Sequence, residues 1–446
     1  MENSLHEFAK LLLQKAGEYG ISPAQVKYSE EEAFSVRMRK GSIEDVESKC
    51  YRSVQLRGKV HGKIGSASTS ALDEDSIHLL IQGVCESALL IEKEDQDEIL
   101  PPDEAYEEVV TYDPELEKFS MEDAMELTRR LDAAIADNPP GLRPDDTGVG
   151  IQSSNKGMMN TLGLDLSQRR NGIIGYVSMI GQEGEASATQ AEIAIGHQTR
   201  DIDPAVLAGD CRSELLRKLH AVIPASGVYP VVLHGKVASS MLSVFSGIFS
   251  AESVDKGLSL LKGREGEQIA SHCVTVMDDP FLPWKTGTTA FDEEGSATRK
   301  KEVISEGVLS TLLYNRRTAK KAGRCTTGNS MGEGLAGPTN LYIREGQRSL
   351  EEIMSGVKDG ILVTEVSGLH AGANLISGDF SLLARGYRIR DGRQEEAVEQ
   401  FTIAGNFYQT LRDIEEVGND LKFRVSNIAS PSLLISGMSV AGRGEN

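Results

Sequence analysis

Long apolar runs are scarce in this chain of 446 residues. The uncharged stretch 237–251 falls short of the roughly 20 apolar residues that a membrane-spanning helix needs, and serines interrupt it, so no transmembrane segment is expected. The first residues, Met1-Glu-Asn-Ser-Leu-His-Glu, carry neither the basic start nor the apolar block of a signal peptide, which makes the cytoplasm the default location. Positive charge is also in short supply: 47 Lys and Arg stand against 67 Asp and Glu, for a net charge of −20. Such a chain repels a phosphate backbone, whose capture depends on Lys and Arg displacing counterions, so nucleic acid is not an expected partner. The five cysteines (Cys50, Cys85, Cys211, Cys273, Cys325) are widely scattered. No Cys-x-x-Cys pair points to zinc or redox chemistry, and reduced, structural thiols are expected.

The length points to two or three domains. Leu5, Phe8, Leu12 and Ala16 recur at helical intervals, so the chain opens with an amphipathic helix. Phe34, Val36 and Met38 alternate with Ser35, Arg37 and Arg39, the period of a strand. Further strands are expected at 43–49, 53–59 and 62–68, then a helix over 73–91, making 1–92 an N-terminal domain of helix and meander. From Glu92 to Glu108 nine acids face the single Lys93, with Pro101-Pro102 among them, and 93–118 reads as an acidic linker. A helix over 120–137, strands near 149–154, 172–180 and 187–197, and a helix over 204–220 give 119–224 a middle domain of antiparallel sheet plus helix. The remainder, 225–446, is a glycine-rich, mainly β domain, with strand-like runs at 303–304, 339–344, 361–366, 380–389 and 433–435 and a helix over 349–358. Strands grouped with strands, without regular βαβ alternation, make the fold class α+β.

The most telling stretch starts at Tyr229-Pro-Val-Val-Leu-His-Gly-Lys236. Its apolar run suits a buried strand, and Val237, Met241, Val244, Phe245 and Ile248 then follow at helical spacing up to about residue 250. Ser239, Ser243, Ser246, Gly247 and Ser250 form the opposite, small-residue face, where no side chain can hold a metal. Several motifs that suggest catalysis lack the context they need. His6-Glu7 is followed by Lys10 and Leu11 rather than a second histidine, so no zinc helix forms. Gly332-Glu-Gly-Leu-Ala-Gly337 runs straight into Pro338 with no preceding strand, which rules out a dinucleotide loop. Gly328-Asn-Ser330-Met-Gly332 has the spacing of a nucleophile elbow, yet its flanks are those of a mobile loop over 327–337. His272 and Cys273, taken as neighbours on a strand, would face opposite ways, and His234, beside Gly235 after a buried strand, suits a helix cap or a satisfied core histidine better than a ligand.

Three blocks carry more weight together. The first joins Asp278-Asp-Pro280, Phe291-Asp-Glu-Glu-Gly295 and Gly307-Val-Leu-Ser-Thr-Leu-Leu-Tyr314. The second joins Thr327-Gly-Asn329 and Gly337-Pro-Thr-Asn-Leu-Tyr-Ile343. The third joins Gly368-Leu-His-Ala-Gly-Ala-Asn374, Ser377-Gly-Asp-Phe-Ser381, Thr402-Ile-Ala-Gly-Asn406 and Gly418-Asn-Asp420. At these residues, and over nearly its whole length, the chain resembles the TldD/PmbA family, in particular its PmbA (TldE) branch.

The resemblance implies that TldD-type subunits carry a metal site built from an HExxxH helix and a late cysteine, and that PmbA-type subunits do not. Laid onto this chain, the two histidines and the glutamate fall on Ser243, Ile248 and Val244, and no cysteine follows Cys325. Catalytic zinc needs about three protein ligands, so the resemblance implies a chain without metal that is not catalytic alone. It further implies a cytoplasmic heteromer with a zinc-bearing TldD-type partner, acting on peptides or unfolded segments. The older family label, modulator of DNA gyrase, sits poorly with a charge of −20.

Candidate peptide-binding positions are His370, Asn374 and Asp379 in the third block, with Asn329 and Asn340 in the second. Two other readings stand beside the partner subunit. One is a self-contained metallopeptidase with atypical ligands such as His234, His272, Cys273 or His370. The other is a homodimeric peptide-binding protein without hydrolytic activity.

Overall fold

A computed structural model describes residues 2–91, 98–184 and 186–442. Residues 93–97 of the expected acidic linker lie outside the described residues. The chain divides into two compact units, one holding residues up to Met179 with Ala191–Cys211 and Ala290–Ala297, the other holding Ile180–Gln190, Arg212–Thr289 and the chain from Thr298 onward. No helix among the described residues is long and apolar enough to cross a membrane.

The N-terminal half contains helix α1 (Glu2–Glu18), strands β1 (Ala24–Arg39), β2 (Ser42–Val60) and β3 (Lys63–Thr69), helices α2 (Glu74–Leu90) and α3 (Met121–Ala134), strands β4 (Leu142–Asn160), β5 (Asp165–Glu183) and β6 (Ala186–Gly196), and helix α4 (Pro204–Lys218). The strands form one sheet in the order β3-β2-β1-β4-β5-β6. The segments expected to make separate N-terminal and middle domains therefore share a sheet, joined by the antiparallel pairing of β1 with β4. Alternation shows which face of a strand is apolar and not which strand lies beside it, so this pairing was not visible in the sequence. The expected strands 43–49 and 53–59 are one continuous strand, β2, because no turn residue breaks Cys50-Tyr51-Arg52. The stripe Ile77, Leu80, Ile81 and Val84 of α2 packs with Leu5, Phe8, Leu12 and Ala16 of α1 against Val26, Val54 and Leu56 of the sheet, as the spacing requires, and Ala88 of the same stripe is buried as well.

The C-terminal half begins with β7 (Gly227–Leu233), α5 (Gly235–Phe245) and α6 (Ala251–Asp255). There follow β8 (Val276–Asp278), β9 (Lys301–Ser305), β10 (Val308–Leu309), α7 (Arg316–Ala322), β11 (Ser330–Gly332), β12 (Leu335–Ala336) and β13 (Leu341–Ile343). The chain continues through α8 (Leu350–Ser355), β14 (Asp359–Ser367), α9 (Leu369–Gly372), β15 (Asp379–Arg390), β16 (Arg393–Asn406), α10 (Phe407–Arg412), β17 (Ile414–Val417), β18 (Ile428–Ala429) and β19 (Leu433–Ala441). One sheet has the order β10-β9-β8-β13-β18; the other runs β16-β15-β14-β7-β19-β17, and pairing of β16 with β19 closes it into a barrel. Substantial sheet with segregated helices confirms the α+β class.

Two local expectations change. The stretch 327–337, expected as a mobile loop, forms the hairpin β11–β12, whose turn places Gly332, Glu333 and Gly334 at φ 84°, 50° and 77°. The helix after β7, expected to run to about residue 250, stops at Phe245 and continues as a 3₁₀ turn, Ser246–Phe249. Gly247 lowers helix propensity there, and Ser246 Oγ donates 2.8 Å to the Ser243 carbonyl, a local bond that competes with the α ladder.

Within the barrel β15 approaches β14 closely: a Cβ on Gly386 of β15 would sit 1.8 Å from the Leu362 carbonyl oxygen of β14. Gly386→Ala is expected to lower unfolding stability by about 3 kcal/mol in urea titrations. Gly209→Ala, where an added carbon meets nothing within 4 Å, is expected not to lower it.

Candidate functional site

The site grows from the exit of β7. His234 caps α5: its Nδ1 accepts the Lys236 N–H at 3.2 Å, and its backbone N–H donates to the Val363 carbonyl at 2.9 Å. Burial, with Arg424 adding to it against the opposing Asp420, holds the His234 imidazole below its ordinary pKa, which favours the neutral, accepting form. The inner face of α5 buries Val237, Ala238, Met241, Leu242 and Phe245. Its small-residue face packs within the chain, since Ser239 Oγ donates to the Gly235 carbonyl at 2.6 Å and accepts the Ser430 N–H at 2.8 Å.

Beyond the end of α5 the chain lines a groove of about 930 Å³. One wall is Val244, Phe245, Gly247 and Ile248, and the other is Ala371–Ile376 with Asp379, Phe380 and Ser381. Two of the three positions that the family resemblance sets on metal ligands, Val244 and Ile248, thus open onto the groove that also holds Asn374 and Asp379. Valine and isoleucine offer no donor atom, and Ser243 is not part of the lining, so these residues do not fit a zinc ion.

Asn374 and Asp379 build a rigid rim. Asn374 Oδ1 accepts the N–H groups of Ile376 and Ser377 at 3.0 and 3.1 Å. The Asp379 carboxylate accepts Asn406 Nδ2 and Ser377 Oγ, each at 2.8 Å, and these bonds hold it below the usual carboxylate range. His370 is exposed on α9, beside the lining and not in it. Asn329 and Asn340 are elsewhere, in a buried polar network around Asp278. That carboxylate accepts Lys301 Nζ and Asn329 Nδ2 at 2.8 Å each, and the Thr339 N–H at 2.7 Å. Asn340 donates to the Asp279 carbonyl at 2.9 Å and accepts the Gly287 N–H at 2.9 Å, which makes it a strut with no exposed surface.

The atypical ligands do not assemble either. His272 and Cys273 lie in a turn and not on the strand assumed for them, and Cys273 Sγ faces Ser271 Oγ at 3.4 Å. Among the described residues, the one trio of His, Cys, Asp or Glu atoms within reach of a common ion is Glu30, Glu32 and Cys50, on β1 and β2. Sequence reasoning passed over the groove's hydrophobic residues, notably Leu258, Leu375 and Ile376. The available signal was the apolar pair Leu375-Ile376 standing between Asn374 and Ser377, outside any helical or strand period.

Family models match the chain in three successive stretches: PmbA/TldA metallopeptidase domain 1 over 24–88, the central domain over 114–219 and the C-terminal domain over 226–442. The chain is 26% identical to a Haemophilus influenzae protein described as a metalloprotease PmbA homolog, covering 99% of this chain and 97% of that one. It is 27% identical to the metalloprotease PmbA of Escherichia coli, over 94% of this chain and 92% of the relative. A crystal structure of a putative modulator of a DNA gyrase from Thermotoga maritima superposes with a TM-score of 0.90 at 30% identity, covering 98% of this chain and all of that one. TldE from Thermococcus kodakarensis has the same fold, with a TM-score of 0.88 at 22% identity over 98% of this chain and 100% of that one.

Replacing Asn340 with alanine is expected to cost about 3 kcal/mol of unfolding free energy, because buried partners are stranded. A second test concerns His234. Its folded pKa lies below the ordinary value near 6.5, so its contribution is complete above that value and is lost as pH falls toward the folded pKa. His234→Asn keeps a capping oxygen and does not titrate. Wild type is therefore expected to lose stability relative to this variant between about pH 7 and pH 5, and not between about pH 7.5 and pH 9, in paired thermal melts.

Proposed function

The chain belongs to the PmbA/TldD metallopeptidase family, and from that premise we propose that it is the metal-free, PmbA/TldE-type partner subunit of a TldD-type metallopeptidase complex. The complex acts in the cytoplasm on peptides or unfolded segments, the TldD-type subunit holds the zinc, and this chain completes the substrate chamber. One observation carries this reading: Val244 and Ile248 line the principal groove of the β7–α5 region at the ligand positions and supply no donor. Three simultaneous losses cannot be made good by one neighbour, because catalytic zinc needs about three protein ligands and an open position for water. Asn374 and Asp379 on the facing wall are the peptide-contacting candidates, with His370 beside them.

The self-contained enzyme is disfavoured by the separation of His234, His272, Cys273 and His370 from any third ligand among the described residues. A role on DNA is disfavoured by the charge of −20.

Co-expressed with a TldD-type protein of the same genome, the chain is expected to co-elute with it. Zinc and peptidase activity should be present in the complex and absent from the chain purified alone. Stoichiometric zinc with hydrolysis by the lone chain overturns the proposal, and a stable homodimer that ignores the partner replaces it with a peptide-binding homodimer.

A further inference from the structure

The groove next to α5 is more than a site without ligands. We propose that it is a pocket for a large apolar side chain of an extended peptide, of leucine, isoleucine or phenylalanine size, with a preference for cationic neighbours in that peptide. This rests on the partner-subunit reading only in taking a peptide as the occupant.

The floor is fixed and dry in character: Phe245, Ile248 and Phe380 are 0%, 2% and 4% exposed, so their shape is set by the core behind them. The rim is the reverse. Leu258, Leu375 and Ile376 are 45%, 52% and 43% exposed, an apolar surface that gains free energy when covered. The groove's volume, about 930 Å³, falls in the range of concave ligand sites, roughly 300–1,000 Å³, room for a large side chain together with its flanking backbone. Asp379 is the sole ionisable side chain of the lining, and no lysine or arginine joins it there. A peptide carboxylate would meet like charge, whereas a lysine or arginine flanking the inserted residue would meet an opposite one. At the positions where a metallopeptidase would polarise a scissile bond, this chain grips a side chain instead.

Gly247 offers a clean block. It lies on the wall with φ outside the left-handed region, and an added Cβ meets nothing within 4 Å, so the backbone there admits a side chain and Gly247→Leu is expected to obstruct the groove. Fluorescein-labelled peptides of sequence Lys-Ala-Leu-Ala-Lys, with Leu→Ser and Lys→Glu versions, are titrated with the full chain and followed by anisotropy. The expected result is binding weakened roughly tenfold or more by Leu→Ser and by Gly247→Leu. Asp379→Asn is expected to erase the preference for Lys over Glu and keep the dependence on Leu. Equal binding of the Leu and Ser peptides, or an unaffected Gly247→Leu variant with a wild-type melting temperature, overturns the pocket.

Co-elution with the TldD-type protein separates the two proposals. If Gly247→Leu alone abolishes it, the groove is a subunit contact and the peptide pocket is overturned. If wild type does not co-elute, the partner-subunit reading fails and the peptide titration still decides the pocket.

Discussion

Strand β7 is the constraint on which the C-terminal half depends. Val231, Val232 and Leu233 are at most 1% exposed and pair on both sides, parallel to 361–363 of β14 and antiparallel to 433–435 of β19. Alternate residues enter two different cores: Val231 and Leu233 join the cluster that includes α5, whereas Val232 packs with Ile353, Met354 and Val357 around α8. Burial on both faces is why the strand reads as an unbroken apolar run, and each such side chain stabilises the fold by about 1.5–3 kcal/mol. With the strand held from both sides, its exit is fixed. Gly235 then packs so closely on the Ser430 carbonyl that a Cβ would lie 2.7 Å from the oxygen. The direction of α5, and with it the placement of Val244 and Ile248, follows from this contact.

A second constraint is the fully buried Asp278 carboxylate. An isolated buried charge is costly, and here Lys301 supplies the opposite charge while Asn329 and Thr339 fill the remaining acceptor sites. Residues from three separated stretches of sequence meet at one carboxylate, tying the ends of β8, β9 and the β11–β12 hairpin to the entrance of β13. Polar motifs that look functional in one dimension therefore serve the scaffold, and the groove depends on the scaffold's rigidity.

The groove joins an apolar wall to a polar rim. With valine at 244 and isoleucine at 248, this wall of the groove offers no donor atom and rewards apolar contact. The groove combines this apolar wall with a single oriented carboxylate at Asp379 and a rim held by Asn374, Ser377 and Asn406.

The sequence by itself determined the elements whose signals are local. The stripes of α1 and α2 follow from helical spacing, and the buried run of β7 from its hydrophobicity. The missing donors at Val244 and Ile248 follow from residue identity alone. Tertiary structure decided whatever depends on contacts between distant residues. It set which strands pair, β1 with β4 among them, and it made Asn329 and Asn340 buried struts. It also brought Val244 and Ile248 opposite Leu375, Ile376 and Asp379. Periodicity records which way a side chain faces relative to its own strand or helix. The neighbour it faces is chosen by barrel closure and by the satisfaction of buried polar groups, which are properties of the whole chain.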